Sequence, residues 1–236
     1  MLVPVVPTDS RETISSRTVA AEAFGVPPLR DGRPAGTVLL IGNVGPALWR
    51  AFAANGADDD GPHPLDRWTR RVLTSVARRC LATPLFPFDG PPHLPFQRWA
   101  RRAEPAVAPS PLGILIHPDY GLWHAYRGAL AFAECLPLPP PDRRPSPCQS
   151  CAARPCLDAC PVGAFTGEAY RVDACRAHID DPAGADCLSL GCRARRACPI
   201  GRDYAYTAEQ AAFHMRAFRG AGRSAARPVD DPDSRR

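Results

Sequence analysis

Eight of the ten cysteines in this 236-residue chain fall within a single stretch, between positions 148 and 198. They form two groups separated by one isolated residue, in the order Cys148, Cys151, Cys156 and Cys160, then Cys175, then Cys187, Cys192 and Cys198. Each group ends in a Cys-Pro pair. A disulfide-bonded scaffold usually spreads its bridges through the fold, so this concentration indicates a segment organised around metal or redox chemistry.

Thiolates are the ligands that iron–sulfur clusters use, and two four-iron clusters need eight of them. In bacterial two-cluster ferredoxins the cysteine before proline binds the cluster that the rest of its motif does not bind. This arrangement explains why both groups end in Cys-Pro. The sequence therefore predicts two [4Fe–4S] clusters held by the eight cysteines. Two zinc sites with four thiolates each would use the same residues and remain an alternative, as do disulfides.

The two remaining cysteines, Cys80 and Cys135, lie outside these motifs. Cys80 continues an apolar stripe with Leu65 and Trp68 at helical spacing, so we expect it to be a small, inert core residue. Neither cysteine is predicted to be a ligand.

Apolar runs and their periodicity predict the elements that precede the cysteines. We expect buried strands at 37–42 and 112–117, and helices from Pro46 through Phe52, over 65–81 and over 123–134. The predicted class is α+β, with a small N-terminal α/β domain followed by a loop-rich, ferredoxin-like domain organised by two iron–sulfur clusters. A capping box of Thr207 and Gln210 predicts a C-terminal helix.

Composition divides the chain into five predicted parts. Six prolines between positions 135 and 147 favour an extended linker. The parts are a loosely ordered lead-in over 1–35, an α/β domain over 36–134, the linker over 135–147, the bis-[4Fe–4S] ferredoxin-like domain over 148–218 and a disordered tail over 219–236.

The net charge is +5, all of the basic residues are arginine, and the charges are spread along the chain. It does not indicate nucleic-acid binding. There is no apolar run long enough for a membrane span and no signal-peptide pattern at the N-terminus. Ten cysteines with no export signal favour a reducing cytoplasm.

The cysteine-rich sequence resembles the two-cluster ferredoxin domain of epoxyqueuosine reductase. The resemblance rests on the runs CQSCAARPCLDACPVGAF, YRVDACRAHI and CLSLGCRARRACPIGRDY, and on the upstream run ILIHPDYGLWHAYRGAL. It covers residues 112 to 203, which is under half of the chain. It implies an iron–sulfur oxidoreductase whose first domain binds cobalamin.

The resemblance also implies which cysteines share a cluster. The first cluster would take Cys148, Cys151, Cys156 and Cys198. The second would take Cys160, Cys175, Cys187 and Cys192. The proton-donating aspartate of the family has no counterpart that we can place in this chain, and no residue matches a cobalamin contact. The catalytic residues therefore stay unknown.

Several polar residues close to these motifs also have predicted roles. His117, after a buried strand, is expected to be a hydrogen-bonded structural residue. His178 lies three residues after Cys175, where it either contacts a cluster sulfur or faces solvent. The arginines between Cys192 and Cys198 could dock an acidic redox partner, or be solvated loop charges.

Three functions remain open from the sequence. The first is an iron–sulfur electron-transfer protein, and the second is a reductase whose N-terminal domain holds the electron acceptor. The third is a zinc-binding interaction module. Cysteine spacing favours iron–sulfur chemistry but does not identify the substrate, the redox partner or the oligomeric state.

Overall fold

The computed structural model describes residues 16–20, 25–55, 61–138 and 140–224. Its mixture of helices and small antiparallel sheets confirms the predicted α+β class. Most of the predicted lead-in and tail lies outside these residues. Within the described part of the chain, no helix is long and apolar enough to cross a membrane.

A four-stranded antiparallel sheet forms the first half of the fold, in the order β1–β2–β6–β3. Its strands are β1 (Ser16–Ala20), β2 (Thr37–Val44), β3 (Thr83–Leu85) and β6 (His124–Phe132). Strand β1 lies within the predicted lead-in, which is therefore not wholly irregular. Because every pairing in this sheet is antiparallel, the segment 36–134 is itself α+β rather than α/β.

Strand β6 corrects the helix predicted over 123–134. The run is rich in alanine and leucine, which favour helices, but it lies between β2 and β3 and pairs with both. Ala129 and Ala131 are almost fully buried there. Pairing with two neighbours outweighs local propensity, because strand formation depends mainly on tertiary context.

The strand predicted over 112–117 is much shorter in the structure. Only Leu115–Ile116 (β5) is extended, and it pairs with Ala108–Pro109 (β4) in a two-stranded sheet. The Ser110 hydroxyl donates to the carbonyl of Ile114 at 2.7 Å and stabilises the turn between the two strands. The apolar run therefore marks a tight hairpin rather than a long strand.

Three helices pack with the sheet. They are α1 (Ala47–Asn55), α2 (Pro64–Arg79) and α3 (Phe96–Ala103). Helix α2 confirms the helix predicted over 65–81, and α1 confirms the one predicted after Pro46. Trp99 of α3 is fully buried in a core with Val38 and Leu40 of β2.

Cys80 is exposed, so the prediction that it is a core residue is wrong. Helix α2 ends at Arg79, and Leu81 already has a positive φ of 53°. The stripe of buried positions stops at Ala77, because the chain leaves the helical path before Cys80 can turn inward.

The cysteine-rich half consists of short helices joined by turns. They are α4 (Pro147–Ser150), α5 (Pro155–Asp158), α6 (Val172–Asp180), α7 (Ala185–Leu190), α8 (Arg193–Ala197) and α9 (Ala208–Ser224). The Thr207 hydroxyl accepts from the Gln210 N–H at 3.3 Å, which confirms one half of the predicted capping box of α9. The reciprocal bond is not formed, because Gln210 Oε1 has no hydrogen-bond partner among the described residues. This helix continues to Ser224, so residues 219–224 are not part of a disordered tail.

The two halves touch through backbone. A Cβ added at Gly121 would lie 2.0 Å from the carbonyl oxygen of Ile200, and one added at Gly201 would lie 2.3 Å from the carbonyl carbon of Tyr120. Both glycines have positive φ. Phe213 of α9 adds a second contact, packing against Trp49 at a ring-centroid distance of 5.1 Å.

We predict that Gly121→Ala lowers the free energy of unfolding by about 3 kcal/mol, since it combines backbone strain with overpacking against Ile200. The matched control is Gly113→Ala, which has a similar positive φ of 73° but no atom within 4 Å of the added Cβ. Strain alone should cost it about 1 kcal/mol. Guanidinium unfolding followed by circular dichroism measures both, and equal losses would contradict the packing argument.

Candidate metal centre

The first group of sulfur atoms comes from three nearby cysteines and one distant cysteine. Cys148 lies in α4, Cys151 ends that helix, and Cys156 lies in α5. Burial raises the pKa of the Cys148 thiol, and the nearby Cys198, Cys156 and Cys151 raise this pKa further. Burial also raises the pKa of Cys156, with added contributions from Cys198 and Cys151. The fold therefore brings Cys198 to the first group, far along the chain.

The second group contains Cys175, Cys187 and Cys192. Burial raises the pKa of the Cys192 thiol, and both Cys175 and Cys187 raise it further. Cys192 precedes the first turn of α8, and the backbone N–H groups of Ala194 and Arg195 point at its sulfur and partly offset that rise in pKa. Burial outweighs these two N–H groups, so the free Cys192 thiol ionises less readily than an ordinary cysteine.

Cys160 is a partly buried thiol in the same region. Its sulfur accepts a hydrogen bond from the N–H of Ala164 at 3.2 Å. It borders the same apolar cluster as Cys156 and Cys192. Among the described residues, no set of three or more His, Cys, Asp or Glu side chains closes around a single metal-ion position.

An apolar frame from the first half of the fold supports these cysteines. Leu112, Ile116 and Leu122 are buried on and beside the hairpin of β4 and β5, and they pack against Ala194 and Cys198. The remaining members of this cluster are partly buried: Cys148, Cys156, Leu157, Cys160, Phe165, Cys192 and Ile200. The hairpin therefore positions cysteines from both groups.

The donor set fits a cluster of soft metal ions. Desolvation disfavours ionisation of these thiols, and a bound metal compensates because a coordinating thiol is deprotonated outright. Thiolate donors with N–H groups aimed at the sulfur suit iron–sulfur clusters, whose potentials depend on such hydrogen bonds. Cys80 and Cys135 lie outside both groups; both are exposed, and the Cys135 sulfur is 4.0 Å from the Gly36 carbonyl oxygen.

The arginines between Cys192 and Cys198 are engaged within the fold. Arg193 and Arg196 both donate to the Asp186 carboxylate, at 2.7 and 2.8 Å, and these bonds lower the pKa of Asp186. Arg193 remains exposed and bonds through its Nε atom, so the proposal that these arginines dock a partner stays a prediction.

Arg195 joins the two halves of the fold. Its Nη2 atom donates to the Leu122 carbonyl at 2.5 Å. Its guanidinium carbon lies 4.6 Å from the ring centroid of Trp123 and 4.4 Å from that of Tyr206. Such cation–π contacts strengthen when the cation is shielded from water. Arg195 is therefore a structural residue of this interface.

His117 is buried and hydrogen-bonded, as the sequence predicts. Its Nδ1 atom accepts from the N–H groups of Asp119 and Tyr120, at 2.9 and 3.2 Å. With Nδ1 accepting, Nε2 carries the proton and donates to the Glu104 carboxylate at 3.2 Å. The sequence could not reveal Glu104 as the partner, because nothing in the local sequence shows that this residue, which follows the last residue of α3, is buried.

Two further histidines lie in constrained surroundings. His124 faces His117 at a ring-centroid distance of 5.8 Å, and burial, assisted by His117, lowers the pKa of His124 to about 4. Its Nδ1 donates to the carbonyl of Gly121 at 3.2 Å. His178 is half-buried, and its Nε2 atom is enclosed without a hydrogen-bond partner among the described residues. His178 therefore does not simply face solvent.

Among the comparisons with known proteins, only the search of solved structures finds a similarity. No family model and no curated protein matches the sequence. A crystal structure of selenomethionine-labelled epoxyqueuosine reductase has a TM-score of 0.45 and 15% identity, covering 75% of this chain and 52% of that chain. A structure of the enzyme from Bacillus subtilis gives 0.45 and 15%, with coverages of 74% and 50%. This chain spans about half the length of these structures.

We predict that stability falls as the pH is lowered from 7 toward 4. The pKa of His124 is about 4 in the fold, below the ordinary value of 6.5, so the unfolded chain binds the proton first. Between these values stability decreases by up to about 1.4 kcal/mol for each pH unit from this group. Urea unfolding at pH 7.0 and 5.5 measures the slope.

The variant for this test is His124→Phe, which keeps a ring and cannot bind a proton. Its stability should depend less steeply on pH than that of the wild type, whatever other groups contribute. The control is His93→Phe, which replaces an exposed histidine. Equal slopes for the wild type and His124→Phe would show that His124 titrates alike in both states.

Proposed function

We propose that this chain is an iron–sulfur redox protein that carries two [4Fe–4S] clusters and transfers electrons. One observation carries the proposal: Cys198 packs in the same apolar cluster as Cys148 and Cys156, and its thiol raises the pKa of both. A second group forms around Cys175, Cys187 and Cys192. Two groups with a ligand exchanged between motifs are the arrangement of two-cluster ferredoxins.

In this proposal each cluster has four cysteine ligands. Cys148, Cys151, Cys156 and Cys198 hold the first. Cys160, Cys175, Cys187 and Cys192 hold the second. Each cluster supplies one-electron transfer when bound. The chain supplies the N–H groups that stabilise sulfur charge and the apolar frame that limits water access.

A reductase is the second candidate. The observation that favours it is the direct packing of the sheet-bearing half on the cysteine segment, through Gly121 and Arg195. A simple electron carrier does not need a second folded segment of this size. We assign no residue among those described as a cobalamin contact, and we derive no step through cobalamin. In either case we place the protein in the cytoplasm, with a redox protein as its partner.

Metal and sulfide analysis tests the proposal. Protein reconstituted anaerobically with iron and sulfide should hold about eight iron and eight acid-labile sulfide per chain. The double variant Cys80→Ala/Cys135→Ala should keep this full content, because both residues lie outside the two groups. Two zinc ions per chain without labile sulfide would establish the zinc-binding alternative instead.

Electron paramagnetic resonance tests the exchange of ligands. Cys198→Ala should remove the first cluster and leave about four iron atoms, so its reduced spectrum should match that of Cys148→Ala. Cys160→Ala should remove the second cluster and match Cys187→Ala. Each variant should also lose the magnetic coupling that two neighbouring clusters produce.

The opposite pairing gives a different pattern. If each motif serves its own cluster, Cys198→Ala will match Cys187→Ala, and Cys160→Ala will match Cys148→Ala. The test compares the spectra of the variants with one another, so it does not require the shape of either single-cluster spectrum to be known in advance. It therefore separates the two assignments even if both clusters have similar potentials.

A further inference from the structure

Three arginines of α3 line a concave surface on the first half of the fold. The cavity has a volume of about 400 Å³, and its wall consists of Arg98, Arg101, Arg102, Pro105, Val107 and Ala108. All three arginines are exposed. They lie three and four positions apart, so their side chains emerge from one face of the helix.

Two of the three arginines of this surface have side chains without a partner among the described residues. The guanidinium groups of Arg98 and Arg101 make no hydrogen bond or ion pair within the described part of the chain. No carboxylate lines the cavity. The nearest acidic residue in sequence, Glu104, is buried and accepts from His117 on the inner side. Arg98 and Arg101 are therefore available to a negatively charged partner.

The surface and the first cysteine group share the β4–β5 hairpin. Ala108 lines the cavity and pairs with Ile116 across the β4–β5 sheet. Ile116 packs in the same apolar cluster as Cys148 and Cys198. The same hairpin thus contributes to the wall of the arginine-lined cavity and to the apolar cluster that contains cysteines that we assign to the first cluster.

We propose that this surface, formed by Arg98, Arg101 and Arg102 around the cavity, docks the carboxylate-rich face of a redox protein partner. The proposal rests on the proposed iron–sulfur function and names the place where electrons enter or leave. Guanidinium groups pair with carboxylates in a bidentate geometry, which holds the partner in one orientation. Charge complementarity also accelerates the encounter of the two proteins.

The position of the arginine surface near the first cysteine group favours a redox protein over other anionic partners. A redox protein must approach a cluster closely, because the rate of electron transfer falls steeply with distance. Nucleic acid or a small phosphate compound has no such requirement, and neither would need the arginines to lie near the first cysteine group. The arginines nearest the second group, Arg193 and Arg196, are already paired with Asp186.

The test is a charge reversal with a matched control. The variant is Arg98→Glu/Arg101→Glu. The control is Arg78→Glu/Arg79→Glu, which makes the same charge change at two exposed arginines in the last turn of α2. The probe is a reduced plant-type [2Fe–2S] ferredoxin with an acidic surface. Stopped-flow absorbance records its electron transfer to the reconstituted protein at low and high ionic strength.

For the wild type, the rate constant should be high at low salt and should fall as salt is added. The Arg98→Glu/Arg101→Glu variant should be at least tenfold slower at low salt and nearly independent of salt, because steering contributes tenfold or more. The control should change less than threefold. Equal rates for the two variants, or a wild-type rate without salt dependence, would overturn the proposal.

Two further measurements keep the outcomes distinct. Iron and sulfide content of each protein tests the proposed function separately from docking. Affinity for the oxidised ferredoxin, measured by calorimetry, tests docking even if clusters fail to assemble, and an unchanged affinity in the Arg98→Glu/Arg101→Glu variant would count against it. Loss of binding to inorganic pyrophosphate or a single-stranded RNA oligonucleotide, with ferredoxin binding retained, would assign the surface to those anions instead.

Discussion

Burial of thiol groups is the constraint on which the second half of this protein depends. Burial raises the pKa values of Cys148, Cys156, Cys187 and Cys192, so in the absence of a cation these side chains would remain neutral. The segment has few large apolar side chains of its own in the core; Ile179 is one of them. Metal binding would both ionise the thiols and supply the free energy that this segment otherwise lacks.

The first half of the fold supplies what such a segment cannot make alone, which is a rigid surface. Backbone contact at Gly121 and the bond from Arg195 to Leu122 hold the turn after Cys198 against the β4–β5 hairpin. Cys198 is thereby kept near Cys148, although the two are distant in sequence. The sheet-bearing half and the cysteine segment are thus in direct contact through backbone and side chains.

Helix α2 could be predicted from sequence because its apolar stripe is long and regular, whereas the assignment of cysteines to clusters stays a prediction because it joins Cys198 to residues far away in the chain. Strand β6 could not be predicted, because its alanines and leucine favour a helix and only its two neighbouring strands make it extended. Cys80 shows the same limit at the scale of one residue. Helical periodicity placed it inward, but the helix ends at Arg79 and leaves it exposed.

Arginine pairing shows why surface charge near a metal site cannot be inferred from residue counts. The sequence places three arginines between Cys192 and Cys198, yet Asp186 pairs with two of them and the aromatic rings of Trp123 and Tyr206 enclose the third. These partners come from other elements, so only the tertiary fold reveals them. On α3, by contrast, the guanidinium groups of Arg98 and Arg101 have no carboxylate partner among the described residues, because the acidic residue that follows the helix, Glu104, is buried and accepts from His117.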